Sequence, residues 1–297
     1  MADYTFVTVI YNPKSTGPGE RLSRDLEKRL KKSLPKQSIT CVGTTHRGHA
    51  REIAYEAALA TSRPLIISAS GDGGYNEVIN GVMQAQQEKP TIQPTTGLLA
   101  AGNANDHFNS VHQDDLVKLI EKGQEQMIDV LKLAIKTPTK TTVRYAHSYI
   151  GLGLTPQVGL ELNKTSLNKL NETWISLRAI ALLRPVRIRI SGHTQIYSSL
   201  IFSNIDRMAK YLTLSKDSSI NDGKFEVISF RFINKIRLIS MLLKASTIGL
   251  DSQRHVSHFA FSTIKRTAFQ VDGEILNVAK ESQVTVSAEQ RVLRCIV

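Results

Sequence analysis

A glycine-rich segment, SGDGGYNEVINGVM at residues 70–83, has the residue types of a phosphate-binding turn followed by a helix. Glycines at positions 71, 73 and 74 permit positive φ angles and let a ligand approach the backbone, while the N–H groups of a helix start favour an anion. Asp72 adds a carboxylate where a phosphate-bound metal ion can sit. For this segment alone, a glycine-rich strand-to-helix connection that binds nothing is an equally good interpretation.

Three further polar turns carry carboxylates or amides. The turn GNAND occupies residues 102–106, NDGK occupies 221–224, and DGE occupies 272–274. Taken singly, DGE is typical of a hairpin turn between a strand ending at Val271 and one starting at Ile275. The NDGK segment is likewise compatible with an ordinary turn. Their chemistry therefore depends on which elements bring them together.

Strands and helices alternate in the first half of the chain. Apolar runs near residues 6–11, 39–42, 64–68 and 96–100 predict buried strands, and helical periodicity predicts helices at 20–34, 49–60 and after Gly73. This βαβαβαβ order predicts a doubly wound parallel α/β sheet with helices on both faces. Ligands of such sheets bind beyond the carboxyl ends of the strands, where both residues 70–74 and 102–106 are expected.

The second half is rich in strands, which predicts a mainly antiparallel β-sandwich or barrel with inserted helices. Two helices are expected, around residues 170–183 and 235–248; the second could lie in a membrane interface or pack on the sandwich. Alternation in VRIRI at 186–190 places both arginines on one face of a strand. The predicted strands cover residues 127–135, 141–145, 186–190, 195–202, 225–230, 259–264, 268–271, 283–287 and 292–296.

Length and charge indicate two domains. The 297 residues exceed the ~100–200 of one domain. Residues 1–135 hold 15 basic and 15 acidic side chains, so residues 136–297 hold 23 and 11 and carry the whole net charge of +12. We predict an α/β domain at 1–135, to which a tail from about residue 284 can return, and a β-rich domain at 136–283. A basic half can serve nucleic acid, an anionic membrane or a polyanionic substrate, or it can be a solvated surface.

Targeting signals are not evident in the sequence. No apolar run approaches the ~18 residues that span a bilayer, and the first residues lack a signal-peptide pattern. We therefore expect a cytoplasmic protein, with peripheral contact at the inner face of the membrane as a further expectation.

Six segments in order resemble the diacylglycerol and sphingosine lipid kinase family over nearly the whole chain. GDG alone also occurs in NAD kinases and phosphofructokinase-like folds, but the NEVINGV extension and the late DGE favour lipid kinases. The segments are IYNPKS at 10–15, residues 44–50, SGDGGYNEVINGV, GNAND, NDGKFEV at 221–227 and DGE.

The resemblance implies transfer of a phosphoryl group from ATP, with Mg²⁺, to a lipid hydroxyl in a cleft between the domains. Glu274 matches the catalytic base, with Asp272 and Asp72 as supporting carboxylates. A second, structural metal loop would use Asp222 and the carbonyls of Ser219 and Lys224, with Asp217 as a further acid. The implied nucleotide-binding positions are Asn12, Thr44, Ser70, Gly71, Asp72, Gly73, Gly74, Tyr75, Asn76, Glu77, Gly102, Asn103, Asn105 and Asp106.

Some positions depart from the common bacterial pattern GGDGT. This chain has Ser70 and Gly74, and Asn103 replaces a hydroxyl residue. The alternatives are therefore a kinase of the same fold acting on NAD or another small molecule, and a catalytically weak nucleotide-binding homologue. The expected partners are a lipid substrate at a membrane surface and the anionic membrane itself, without nucleic acid; a homodimer is left open.

Overall fold

The computed structural model describes residues 4–15, 17–111, 114–162, 175, 178, 181–208, 212–213, 219–231, 240–241, 244, 247 and 254–297. The chain divides into two compact units. The first combines residues 1–130 with 290–297, and the second consists of residues 131–289. Two strands, β5 (Glu125–Lys136) and β17 (Gln283–Ile296), contribute residues to both units.

The first unit contains a parallel sheet in the order β2-β1-β3-β4, and the last residues of β17 add a further parallel strand beside β4. Its strands are short apolar runs, as a sheet covered on both faces requires. The elements are β1 Phe6–Tyr11, α1 Gly19–Ser33, β2 Ser38–Gly43, α2 His49–Ala60, β3 Pro64–Ser70, α3 Asp72–Glu88, β4 Thr95–Ala100, α4 Asp106–Val111 and α5 Leu116–Lys122.

Helices cover both faces of this sheet, which confirms the predicted doubly wound fold. On one face, leucines of α1 and apolar residues of α5 share a buried cluster with alternate residues of β1 and β3. On the other, α2 and α3 pack on β1 and β3 and approach each other closely at Gly81, where a Cβ would lie 2.3 Å from the carbonyl oxygen of Arg51. The carboxyl edge of the sheet therefore stays open to the loops that follow each strand.

The second unit is built from antiparallel strands, which confirms the other part of the predicted fold class. The strands follow the order β16-β15-β7-β9-β8-β14-β17, and β12 pairs with both β9 and β13. Residues from strands along this path enclose one large apolar cluster. The further elements are β6 Thr141–Ala146, β7 Tyr149–Gly153, α6 Leu154–Leu162, β8 Val186–Ile190, β9 His193–Ser203, β10 Arg207–Met208, β11 Leu212–Thr213, β12 Phe225–Arg231, β13 Arg254–Val256, β14 His258–Thr263, β15 Thr267–Val271 and β16 Glu274–Val278.

Several elements differ from the sequence prediction. The two strands predicted at 283–287 and 292–296 are one strand, β17, because its first part pairs with β14 and its last part with β4. Seven elements in the described part of the chain were not predicted: α4, α5, β7, α6 and the short strands β10, β11 and β13. The two predicted helices at 170–183 and 235–248 lie largely outside the described residues, and Asp217 lies outside them as well.

Candidate active site

The loops that follow β1 and β2 meet at the carboxyl edge of the parallel sheet. A Cβ on Gly17 would lie 2.2 Å from the carbonyl oxygen of Ala101, so the β1–α1 loop needs glycine to lie against the end of β4. Asn12 opens this loop, and its side-chain oxygen accepts a hydrogen bond from the Lys14 N–H at 2.9 Å. Thr44 opens the next loop and donates its N–H to the carbonyl of Tyr11 at 2.8 Å. Both predicted nucleotide residues are therefore at the expected edge.

The turns after β3 and β4 touch through their glycines. A Cβ on Gly102 would lie 2.3 Å from the Cα of Gly71, and one on Gly71 would lie 3.0 Å from the Cα of Gly102. Side chains at these positions would separate the two turns. Within the second turn, the Asn105 side chain accepts from the Gly102 N–H and donates to the Gly102 carbonyl, both at 3.0 Å, and its φ is +53°. Asn105 thereby holds the shape of the loop that contains Asn103.

Asp72 joins the two turns. One carboxylate oxygen accepts the Asp106 N–H at 3.0 Å, and the other accepts the His107 N–H at 3.1 Å. These donors are the first backbone groups of α4, which a carboxylate stabilises. Asp72 is also the first residue of α3, whose preceding residue, Gly71, provides no side-chain cap. The carboxylate predicted to lie near a metal therefore also fixes one phosphate-type turn against the other.

Ser70 and Gly74 share one small space. The Ser70 hydroxyl lies 2.7 Å from the Ser68 hydroxyl and donates to the Gly71 carbonyl at 3.0 Å. A Cβ on Gly74 would lie 2.6 Å from both the Cβ and the Oγ of Ser70. Glycine at 74 is therefore required as long as serine occupies position 70.

The next three predicted nucleotide residues, at 75–77, have partners inside the unit. The Tyr75 side chain is buried and its hydroxyl lies 2.9 Å from that of Thr96; burial raises its pKa above the usual range. Asn76 is buried and accepts hydrogen bonds from Asn80. The Glu77 carboxylate accepts the Gly48 N–H at 3.1 Å, tying the β2–α2 loop to α3. The Tyr75 side chain is part of the core, so nucleotide binding at this position, which stays a prediction, would use its backbone.

The DGE segment is a two-residue hairpin between β15 and β16, as its sequence suggested. Val271 pairs with Glu274, and the intervening Asp272 and Gly273 have φ angles of +44° and +90°. Glu274, the predicted base, is the partly exposed first residue of β16. The turn thus holds Glu274 at the end of a paired strand, where its backbone is fixed.

Asp272 is completely enclosed. Its carboxylate accepts the N–H groups of His147, Ser148 and Tyr149 at 2.7, 3.0 and 2.8 Å, and the His147 Nε2 lies 3.3 Å away. The His147 Nδ1 in turn lies 2.7 Å from the Ser148 hydroxyl. These contacts direct its oxygens at the β6–β7 loop, and the supporting role of Asp272 in catalysis stays a prediction. It anchors the hairpin that carries Glu274.

The predicted metal loop belongs to the same edge of the antiparallel strands as the DGE hairpin. Glu226, at the start of β12, pairs with Ser203 at the end of β9, and Ser203 pairs with Tyr149 at the start of β7. Asp272 lies beside Tyr149, to whose carbonyl its N–H donates. Residues 219–224, which precede β12, therefore emerge on the edge where the hairpin turns.

Inside this loop, the Asp222 carboxylate is exposed and accepts the Lys224 N–H at 2.9 Å, and the Ser219 hydroxyl donates to the Asn221 side chain at 3.0 Å. In the described part of the chain, no three His, Cys, Asp or Glu side chains come together as a metal-binding group. Metal binding at Ser219, Asp222 and Lys224 stays a prediction.

The comparisons with known proteins agree with this geometry. Residues 6–133 match the model of the diacylglycerol kinase catalytic domain. The chain is 26% identical over 298 residues to a diacylglycerol kinase of Bacillus subtilis, covering 95% of this chain and 88% of the relative, and 24% identical to one of Staphylococcus carnosus, covering 90% and 87%. The chain is therefore similar to diacylglycerol kinases over most of its length, and residues 6–133 match their catalytic domain.

Solved structures show the same fold. A diacylglycerol kinase from Bacillus anthracis superposes with a TM-score of 0.71 at 16% identity, covering 100% of this chain and 98% of the other. A yeast NADH kinase superposes with a TM-score of 0.51 at 12% identity, covering 99% and 83%. The domain match and the names of the curated relatives support a lipid kinase, an enzyme class that uses a nucleoside triphosphate such as ATP.

Sequence reasoning missed the polar residues that surround Asp272. His147 and Ser148 are fully buried, and Asn204 donates its backbone N–H to the Ser148 carbonyl at 2.8 Å. None of them stands in a segment that resembles the family motifs. The residues around His147 and Ser148 give no sequence signal of a buried polar cluster, because their partner, Asp272, lies more than a hundred positions away in the chain.

Proposed function

We propose that this chain transfers the γ-phosphoryl group of ATP to the hydroxyl of diacylglycerol or a closely related lipid. One observation carries the proposal: Asp72 and the contact between Gly71 and Gly102 fasten two anion-type turns together at the carboxyl edge of the parallel sheet. In open α/β sheets this edge is where ligands bind. The relatives named diacylglycerol kinase support the choice of acceptor.

The nucleotide site that we propose is formed by the loops of the first unit. Backbone N–H groups at the start of α3 are directed at a phosphate, and glycines at 71, 73 and 74 let it approach. The Ser70 hydroxyl and the Asn103 amide stand beside them, and Asn12 and Thr44 border the same edge. Tyr75, Asn76 and Asn105 shape this site from within the protein. Because phosphoryl transfer depends on positioning and charge neutralisation, rigid loops of this kind are what the reaction needs.

We propose that Mg²⁺ arrives with the ATP phosphates. A kinase typically holds Mg²⁺ through one or two carboxylates plus phosphate oxygens and water, so a full protein cage is not required. Asp72 fits this role, because its carboxylate stands between the two turns where the phosphates are expected and carboxylate oxygens are the ligands that Mg²⁺ prefers. Asp106, buried beside it, is the second carboxylate of this region. The ion would supply neutralisation of charge on the transferred group.

We propose that Glu274 removes the proton of the acceptor hydroxyl. Its carboxylate is partly exposed, whereas Asp272 is enclosed and fixes the hairpin. A general base contributes about 10²–10⁴-fold to the rate. Asp272 is thus assigned a positioning role, and Asp222 with the carbonyls of Ser219 and Lys224 remains our candidate for a structural metal.

The acceptor is held in a lipid bilayer, so we propose that the enzyme contacts an anionic membrane peripherally. None of the helices in the described residues is long and apolar enough to cross a membrane. The excess positive charge of residues 136–297 supports attraction to anionic lipid.

An ATP-consumption assay with a panel of acceptors tests the proposal. The panel contains diacylglycerol, a long-chain base, ceramide and NAD, and product formation is followed with labelled ATP. We expect phosphorylated diacylglycerol and a kcat about 10²–10⁴-fold lower for Glu274→Gln with unchanged ATP affinity. The matched control is Glu281→Gln, an exposed glutamate in the same unit, which should behave like the wild type. Phosphorylation of NAD alone, or full activity of Glu274→Gln, would overturn the proposal.

A further inference from the structure

Two leucines are the exposed large hydrophobic residues in the part of the chain that the structure describes. Leu182 is 64% exposed and Leu160 is 40% exposed. Single exposed apolar residues are common on protein surfaces, so exposure alone assigns no role. What distinguishes these two is that their neighbours in the chain pack on one apolar cluster.

That cluster lies on the antiparallel unit and consists of Tyr149, Leu154, Ile201, Met208, Ile228 and Phe230, with Val158, Leu183 and Met241 packed against it. Val158 of α6 and Leu183 thus point inward. The Gln157 side chain also donates to the Arg184 carbonyl at 3.1 Å, which holds α6 against residues 182–184. Leu160 is two positions after the inward Val158, and Leu182 is one position before the inward Leu183. Both exposed leucines therefore lie on the outer side of the segments that cover this cluster.

The two arginines of β8 lie on the same side of the sheet. Val186 and Ile188 enter the main core, so Arg187 and Arg189, which alternate with them, face the opposite side. Their cross-strand partners on β9 are Ile196 and Thr194. That opposite side is where Ile201 of β9 joins the second cluster. Leu182 precedes Arg187 by five positions, so the chain places the two within about 17 Å of each other.

The positive charge of this surface is not compensated by ion pairs. Arg178, Arg184, Arg187 and Arg189 are exposed, and none of their side chains forms a salt bridge in the described part of the chain. Arg178 lies one helical turn before Leu182, whose N–H donates to its carbonyl at 2.9 Å. Glu161, beside Leu160, is the acidic side chain nearest in sequence to this group.

We infer that these six residues, Leu160, Leu182, Arg178, Arg184, Arg187 and Arg189, form a docking surface for an anionic lipid bilayer. We call it the arginine–leucine face. Arginines attract anionic headgroups, and the leucines enter the headgroup layer, which is the combination that interfacial binding uses. An acidic protein or a nucleic acid would use the charges but has no need of two projecting leucines. The inference rests on the proposed function in so far as a lipid acceptor requires a membrane encounter.

Vesicle co-sedimentation of the full chain tests the arginine–leucine face without using catalysis. The vesicles are phosphatidylcholine alone, or phosphatidylcholine with about a third phosphatidylglycerol, at about 0.05 M and 0.5 M salt. We expect binding to the anionic vesicles at low salt, and much weaker binding to neutral vesicles or at high salt. Arg187→Glu combined with Arg189→Glu should weaken binding about 30-fold or more. Leu160→Ser combined with Leu182→Ser should weaken it about tenfold.

A matched charge reversal gives the control. Lys265→Glu with Arg266→Glu changes the net charge equally, in an exposed turn that follows β14. This variant should bind anionic vesicles within about threefold of the wild type. Equal loss in the two charge-reversal variants would overturn the inference, because it would mean that binding follows total charge. No vesicle binding by the wild type, or binding to polyanions such as heparin with none to vesicles, would overturn it as well.

Activity on a dispersed short-chain diacylglycerol separates this inference from the proposed function. We expect variants of the arginine–leucine face to keep their activity on this soluble acceptor and to lose it on vesicle-borne acceptor. If no acceptor is phosphorylated, the proposed function fails, while the vesicle-binding series still decides the docking surface. A leucine variant that binds vesicles as tightly as the wild type contradicts the docking surface whatever its activity.

Discussion

Two aspartates, one in each unit, illustrate how a carboxylate in a motif can build a site by accepting backbone N–H groups. Asp72 accepts two backbone N–H groups at the start of α4 and is about 9% exposed. Asp272 accepts three N–H groups of the β6–β7 loop, lies beside an imidazole and is fully buried. Both tie one motif to a distant segment. Because Asp272 is the more enclosed of the two, we expect it to act through structure, whereas we expect Asp72 also to meet a nucleotide-bound metal.

The largest effect is expected for Asp272→Ala. It leaves three backbone N–H groups buried without an acceptor, so the free energy of unfolding should fall by about 3–5 kcal/mol. Urea unfolding monitored by circular dichroism measures this loss. Glu281→Ala, at an exposed turn position that also has positive φ, is the control and should change the stability little. A loss below about 1 kcal/mol for Asp272→Ala would remove the contrast between the two aspartates.

A smaller loss of stability and a specific loss of activity are expected for Asp72. Asp72→Ala should lower the free energy of unfolding by about 2 kcal/mol, because two donors at the start of α4 lose their acceptor. Asp72→Asn keeps one of the two acceptor oxygens and turns an amide donor toward the other N–H, so part of the stability loss should remain, and kcat/KM for ATP should fall about 100-fold through loss of charge. Steady-state kinetics beside thermal unfolding separate the two effects. Normal kinetics in a stable Asp72→Asn enzyme would assign Asp72, like Asp272, to structure alone.

The next prediction concerns the packing of Ser70 against Gly74 in the glycine-rich turn that contains Asp72. Gly74→Ala should destabilise the protein by about 1–2 kcal/mol, since its Cβ would meet the Ser70 side chain, although alanine is the better helix former. Adding Ser70→Gly should recover most of this loss. The double-mutant cycle is measured by urea unfolding and by ATP affinity. Additive effects of the two substitutions would show that the positions do not share one space.

The smallest change in stability is expected at Glu125, whose carboxylate accepts hydrogen bonds from side chains and not from backbone N–H groups. Glu125 accepts from Tyr4 at 2.8 Å and from Arg63 and Arg294, each at 3.2 Å. Burial alone would raise the pKa of Glu125, but these hydrogen bonds and the arginine charges outweigh it and hold the pKa below its usual value. The stabilisation is therefore present above the ordinary carboxyl pKa and is lost as the pH falls through the lowered value.

Glu125→Gln should lower the stability by about 1 kcal/mol at neutral pH and reduce the loss on acidification from about pH 6 to pH 3. Urea unfolding at several pH values measures both. A steeper acid loss in Glu125→Gln than in the wild type would contradict the assigned direction of the pKa shift.

Local patterns predicted much of the fold. The bounds of β1, α2 and β8 follow directly from short apolar runs, helical periodicity and strict alternation, which depend on residues within one element. The sequence predicted a break between two strands at residues 288–291, but β17 runs through these positions for a reason that lies elsewhere in the chain. Arg291 has a φ of +49°, and its N–H donates to the Asp129 side chain at 2.7 Å, so β17 continues through an irregular position held by a distant partner.

The motifs of the candidate site were visible in the sequence because each places glycines and polar residues next to an apolar run. Whether a motif residue faces a ligand or the core was not visible. Tyr75 stands inside the glycine-rich segment, yet its hydroxyl lies beside Thr96 of β4. Position in a motif therefore predicts the neighbourhood of a site better than it predicts the role of each side chain.

The sequence by itself determined the order of strands and helices, the glycine turns and the excess charge of the second half, since these depend on neighbouring residues and on composition. Only the tertiary structure decided that Asp72 caps α4, that Asp272 is enclosed by residues 147–149, and that Leu160 and Leu182 are exposed. The physical reason is that hydrogen-bond partners and burial depend on segments that are distant in the chain and adjacent only after folding.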